Sequence, residues 1–114
     1  MTTVLEEKTI DELMNAYANS LKMELGNNLK AVILYGSCAR GEHEIGSDMD
    51  VFVLVDNDDK VVVDIIDKLA IQADWDYDTL MVCTIRTVDV YTKYYHETLY
   101  QEIRKEGKVY YGAA

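Results

Sequence analysis

The chain has 114 residues, 49% of them hydrophobic, and a formal net charge of −10. One domain spanning residues 1–114 with a single core fits that length. The eleven Lys and Arg residues are scattered, which argues against a long nucleic acid as partner, because backbone phosphates need a basic stripe. No apolar run has the length a bilayer requires and the opening is not that of a signal peptide, so the expected setting is soluble and cytoplasmic.

The first predicted helix opens at Thr9, where Thr9-Ile10-Asp11-Glu12 reads as a capping box, and Gly26 is its natural stop. Ile10, Leu13, Met14, Tyr17, Leu21 and Leu25 fall at helical spacing between them. Ala31 to Tyr35 is a short buried strand. Residues 36–47 are polar and Gly- and Ser-rich, with room for one helical turn after Ser37. Asp50 to Val55 is the second strand. A turn at residues 56–59 leads into a helix over 61–72 with Val62, Ile65, Ile66 and Leu69 on one face. Thr79 to Ile85 is the third strand and carries Cys83 as a small buried residue. Thr87 caps a last helix reaching Lys105, Gly107 ends it, and Val109 to Tyr111 closes the chain as a strand or docked tail. Tyr91, Tyr95, Leu99 and Ile103 suggest that helix's buried face, with a partner surface as the alternative for the tyrosines. Cys38 and Cys83 show no metal-type spacing, and a reduced compartment fits them.

Chemistry concentrates between strands one and two. Gly36-Ser37 closes the first apolar run, and Asp48-Met49-Asp50 opens the second. Residues i and i+2 of a strand share a side, so Asp48 and Asp50 project together and can hold hard divalent cations through oxygen. Two such ions can clamp the attacking and leaving oxygens of a nucleotidyl transfer. Gly36 lets backbone approach a ligand without a Cβ, Ser37 offers a hydroxyl and an N–H to phosphate, and Arg40 can add a charge-assisted contact. A third carboxylate would take the proton from the attacking hydroxyl or serve as a further ligand. Asp74, Asp76 and Asp78 are candidates, with Asp78 preferred at the mouth of strand three and Asp76 second.

These residues resemble the DNA polymerase β-like nucleotidyltransferase superfamily, and most of all its minimal nucleotidyltransferase branch, partner of HEPN-domain toxins. Gly36-Ser37 and Asp48-Met49-Asp50 carry the likeness, with Ala39-Arg40-Gly41 and Ser47, Tyr77-Asp78 before an apolar strand, and the closing segment from Leu99 to Tyr111. The resemblance implies an α/β (α+β) fold, a small mixed β-sheet with helices packed mainly on one face. It implies ATP as substrate and Mg2+, two ions by the superfamily's pattern, held by Asp48, Asp50 and Asp78. Gly36, Ser37, Arg40 and Ser47 would bind the nucleotide. AMP would pass to a hydroxyl of a protein partner, a HEPN-domain toxin, with this chain as antitoxin in a homo- or hetero-oligomer. Two alternatives stay open. One is a non-catalytic module that neutralises its partner by occlusion; the other is a small-molecule transferase of the aminoglycoside type.

Overall fold

A computed structural model describes residues 7–41 and 48–112. The β-branched and aliphatic runs pair into one four-stranded sheet in the order β3-β2-β1-β4. β1 (Leu29–Tyr35) runs antiparallel to β2 (Met49–Val55), with Tyr35 opposite Asp50 and Leu29 opposite Val55. β3 (Met81–Thr87) lies parallel to β2, and β4 (Lys108–Gly112) lies antiparallel to β1 on the other edge. The sheet is therefore mixed, with strand three beside strand two as the sequence predicts.

Alternation along the strands gives each face its own core. Val32, Leu34, Met49, Val51, Val53, Val55 and Met81 face α1 (Glu7–Leu25) and α2 (Lys60–Tyr77). Ala31, Ile33, Phe52 and Leu54 face α3 (Val88–Lys93) and α4 (Thr98–Glu106) through Tyr91, Tyr100 and Ile103. The two long helices thus share one face, and the two short ones cover part of the other. Phe52 is fully buried, with the Tyr91 and Tyr100 rings at 5.8 and 5.9 Å; truncating such a residue costs about 3–5 kcal/mol. On the first face the Tyr17 hydroxyl donates to the Ile66 carbonyl at 3.1 Å and lies 3.4 Å from Cys83 Sγ. Burial pushes the ionisation of that phenol and of the Cys83 thiol upward, so both stay neutral.

Three boundaries differ from the sequence reading, each for a physical reason. Thr9 lies inside α1 instead of capping it, since the helix is already formed at Glu7. The buried face of α2 continues past Ile66 and Ala70 to the partly buried Ala73 and Tyr77, so the helix runs five residues further than the pattern of aspartates suggests. Asp78, with φ 53° and ψ 52°, is its left-handed C-cap, and β3 begins only at Met81. The predicted last helix is broken in two. Thr87 caps α3 as expected, accepting from the Val90 N–H, but the chain turns at residues 94–97 before α4. Arg104 holds that turn: its guanidinium donates to the Tyr91 hydroxyl and the Tyr95 carbonyl, and stacks 3.7 Å from the centre of the Tyr95 ring. Tyr91 is accordingly core, whereas Tyr95 remains exposed.

Candidate active site

The site lies at the end of the sheet where β1 finishes and β2 and β3 begin. Met49 turns into the α1–α2 core. Its neighbours Asp48 and Asp50 therefore project to the opposite face, the one that carries Phe52. Asp48 is exposed and Asp50 half-buried. Asp50 stands opposite Tyr35 on β1 and beside Val82 on β3. Above the sheet, the Tyr35 hydroxyl reaches Thr84 Oγ1 at 3.1 Å, spanning from β1 to β3.

Gly36 follows directly, with φ +76°. A Cβ at this position would overlap Asp50 Oδ2 and meet Asp50 Cγ at 3.3 Å. The backbone of the turn thus touches the second carboxylate, and only glycine permits the approach. The Arg40 N–H closes the turn on the Gly36 carbonyl at 3.2 Å, and the Gly41 N–H donates to the Cys38 carbonyl at 3.4 Å. It is a turn rather than a helix, with Ser37 half-buried within it. Cys38 is buried, and its thiol donates to the Asp48 carbonyl at 3.6 Å, tying the turn to the head of β2. Burial, then Asp50 and Asp48, push the Cys38 thiol up, so it is no thiolate nucleophile. The Arg40 guanidinium pairs with Glu106 at 2.9 Å, which anchors the turn to the end of α4.

Electrostatics distinguish Asp50. Burial first and the Asp48 carboxylate second raise its pKa above the ordinary range, and Arg40 partly offsets them. Two carboxylates on one face, one of them half-buried, repel each other, and a divalent cation between them removes that penalty. All-oxygen donors beside a Cβ-free cradle fit magnesium carrying phosphate oxygens and water in its remaining positions. The residues present thus fit such an ion.

Asp78 does not join them. It is exposed at the α2 C-cap, it is not among the charges acting on Asp50, and Val82 holds the β3 position beside Asp50. Among the described residues no three His, Cys, Asp or Glu side chains group closely enough to share a metal ion. The physical reason is the longer α2, which uses residues 73–77 as helix. Asp74 and Asp76 are likewise helical. Asp74 accepts from the Met81 N–H at 2.7 Å and from Thr79 Oγ1 at 3.1 Å, closing the α2–β3 turn, and Asp76 accepts from Gln72 at the surface. Ser47, a predicted nucleotide contact, lies outside the described residues. The pattern reading missed the Tyr35–Thr84 bond and the Asp50–Val82 pairing. Only strand register reveals either, although alternation about Met81 is its trace in the sequence.

Residues 7–113 match the family described as polymerase beta, nucleotidyltransferase. The chain belongs to that family. This nucleotidyltransferase is 30% identical over 106 residues to a protein of Methanocaldococcus jannaschii named "putative protein adenylyltransferase", covering 93% of this chain and 98% of that one. In fold it is similar to a crystal structure of a toxin–antitoxin with AMP-PNP, with TM-score 0.62 and 20% identity over 87% of this chain and 73% of the other. A second likeness is to the complex of a tri-AMPylated Shewanella oneidensis HEPN toxin with its MNT antitoxin, with TM-score 0.54 and 18% identity over 90% and 73% of the two chains. The matched span takes in all four strands of the sheet and the Gly36–Asp50 contact.

Proposed function

We propose that this nucleotidyltransferase moves AMP from ATP, carried with Mg2+, to a side-chain hydroxyl of a protein partner. The observation that carries the reading is the contact of the Gly36 backbone with Asp50, which sets a Cβ-free turn against a pair of carboxylates. The name of the archaeal relative supports a protein as acceptor, and the toxin–antitoxin neighbours support a HEPN-domain toxin as that protein. The role is then that of antitoxin, in the cytoplasm, within a hetero-oligomer. No helix among the described residues is long and apolar enough to cross a membrane.

In this mechanism Gly36 and Ser37 offer N–H groups and a hydroxyl to the triphosphate, with Arg40 and Ser47 nearby in sequence for further phosphate contacts. Asp48 and Asp50 would hold the ion, which when bound would neutralise charge building on the phosphates. The acceptor oxygen forms a bond to the α-phosphorus, the bond from that phosphorus to the bridging oxygen breaks, and pyrophosphate leaves with the electron pair. The hydroxyl proton leaves to solvent. We give Asp78 no part in the step, because Val82 occupies the place beside Asp50.

The test is intact-mass spectrometry of a HEPN-domain protein that binds this chain, after incubation with the enzyme, ATP and Mg2+. A gain of one or more AMP masses is expected. Tight binding with no mass gain would replace the transferase by the occluding module.

A further inference from the structure

The sheet end that carries Asp48 and Asp50 also leaves two aliphatic side chains in water. Leu80 is 56% exposed and Val82 41%. Both share the carboxylates' face. Val82 is the register partner of Asp50, and Met49 is that of Met81. The Met49 N–H donates to the Leu80 carbonyl at 2.9 Å, which sets Leu80 beside Asp48 one pair earlier. Met81, between them, is buried in the opposite core. β3 is an edge strand, and exposed aliphatics on such an edge invite association unless something covers them.

Charge says what kind of molecule covers them. Residues 48–59 and 69–85 contain no Lys or Arg; Asp48 and Asp50 flank the two aliphatics across the β2–β3 pairing, Asp78 precedes them in the chain, and Arg40, whose charge reaches Asp50, is paired with Glu106. The patch is apolar at its centre and acidic at its rim. A second copy of this chain, itself at net charge −10, would bring like charge to that rim. A segment with an apolar anchor flanked by Lys or Arg complements it.

We propose that Leu80 and Val82 form the seat of the acceptor protein. An apolar side chain of the partner rests on them, a basic neighbour faces Asp78, and its hydroxyl is thereby carried to the ion held by Asp48 and Asp50. The seat rests on the function proposed above and adds the residues that select the acceptor.

The experiment compares Leu80→Ser combined with Val82→Thr, Val82→Thr alone, and Trp75→Ala, after thermal melts confirm that each folds. Val82→Thr keeps the β-branched shape that a strand prefers. Trp75 is 86% exposed on α2 and serves as the comparison for an exposed hydrophobe elsewhere. With the AMP-accepting HEPN-domain protein, the double variant raises the acceptor KM and its Kd about tenfold or more, as loss of one or two buried aliphatic contacts should. Its kcat and ATP KM hold at wild-type values, and partner binding in the wild type weakens as salt rises. Val82→Thr alone shows a smaller rise in the same direction, and Trp75→Ala shows none. Wild-type acceptor KM and Kd in the double variant overturn the seat, as does a rise produced by Trp75→Ala instead. If wild-type enzyme transfers no AMP, the transferase reading fails, and the Kd comparison with the same partner still decides the seat.

Discussion

Asp50 and Asp74 are the same residue type, both half-buried, and each lies next to a methionine of one β2–β3 register pair, yet they do opposite work. Burial is the largest cause raising the pKa of each. Around Asp74 the neighbours are donors, the Met81 N–H and the Thr79 hydroxyl, and they pull its pKa back down. Beside Asp50 the charge that acts most strongly is another carboxylate, which pushes the same way as burial, and Arg40 offsets only part of it. A half-buried acid met by donors is a piece of architecture. A half-buried acid met by a second acid is incomplete without a cation, and that marks it for chemistry.

The comparison can be broken at either end. Asp48→Asn with Asp50→Asn should reduce AMP transfer by more than about 10³-fold while leaving the melting temperature equal to or above wild type, because repulsion is removed. Circular dichroism melts beside a transfer assay check both halves. Gly36→Ala comes next. The new Cβ displaces the Asp50 carboxylate and sits at φ +76°, so transfer should fall by about 10²-fold at unchanged partner affinity. Asp74→Ala should do the reverse, costing about 2 kcal/mol in urea unfolding by leaving the Met81 N–H without its acceptor, with specific activity of the folded fraction preserved.

The smallest effect sharpens the contrast through pH. Both acids have raised folded-state pKa values, so each favours the folded state when protonated. That contribution is full below the ordinary carboxylate range and is lost as pH rises through the raised value. In metal-free protein, stability should therefore decline over that window. Mg2+ should abolish the part due to Asp50, and Asp50→Asn should abolish it without Mg2+. The part due to Asp74 should persist in both. Thermal melts across mildly acidic pH, with and without Mg2+, read the difference; a Mg2+ response retained in Asp48→Asn with Asp50→Asn would remove the metal from this pair.

Much of this was legible from residue pattern. The strands β1, β2 and β3 announce themselves by aliphatic runs, and the Gly-Ser and Asp-Met-Asp groups by strand alternation and the need for a Cβ-free approach. Asp78 lies before β3, as its sequence suggests, but as the left-handed cap of α2 and not grouped with Asp48 and Asp50, because residues 74–77 look like a loop one residue at a time and are helix. Only the buried spacing of Ile66, Ala70, Ala73 and Tyr77 keeps them helical, and tertiary contact enforces that spacing. The break between α3 and α4 carries no Gly or Pro at all. It comes from Arg104 and from both Tyr91 and Tyr100 packing on Phe52, which a straight helix could not deliver.

The pairing of Tyr35 with Asp50 has a further consequence for how the site comes into being. Gly36 ends one strand and Asp48 precedes the next, so turn and carboxylates belong to a single antiparallel hairpin. Hairpins close in microseconds and depend on contacts near in sequence. The Gly36 turn and the two carboxylates therefore come together through contacts within one hairpin, independently of β3 and β4. Amide exchange should show Leu34 and Val51 opening as one cooperative unit.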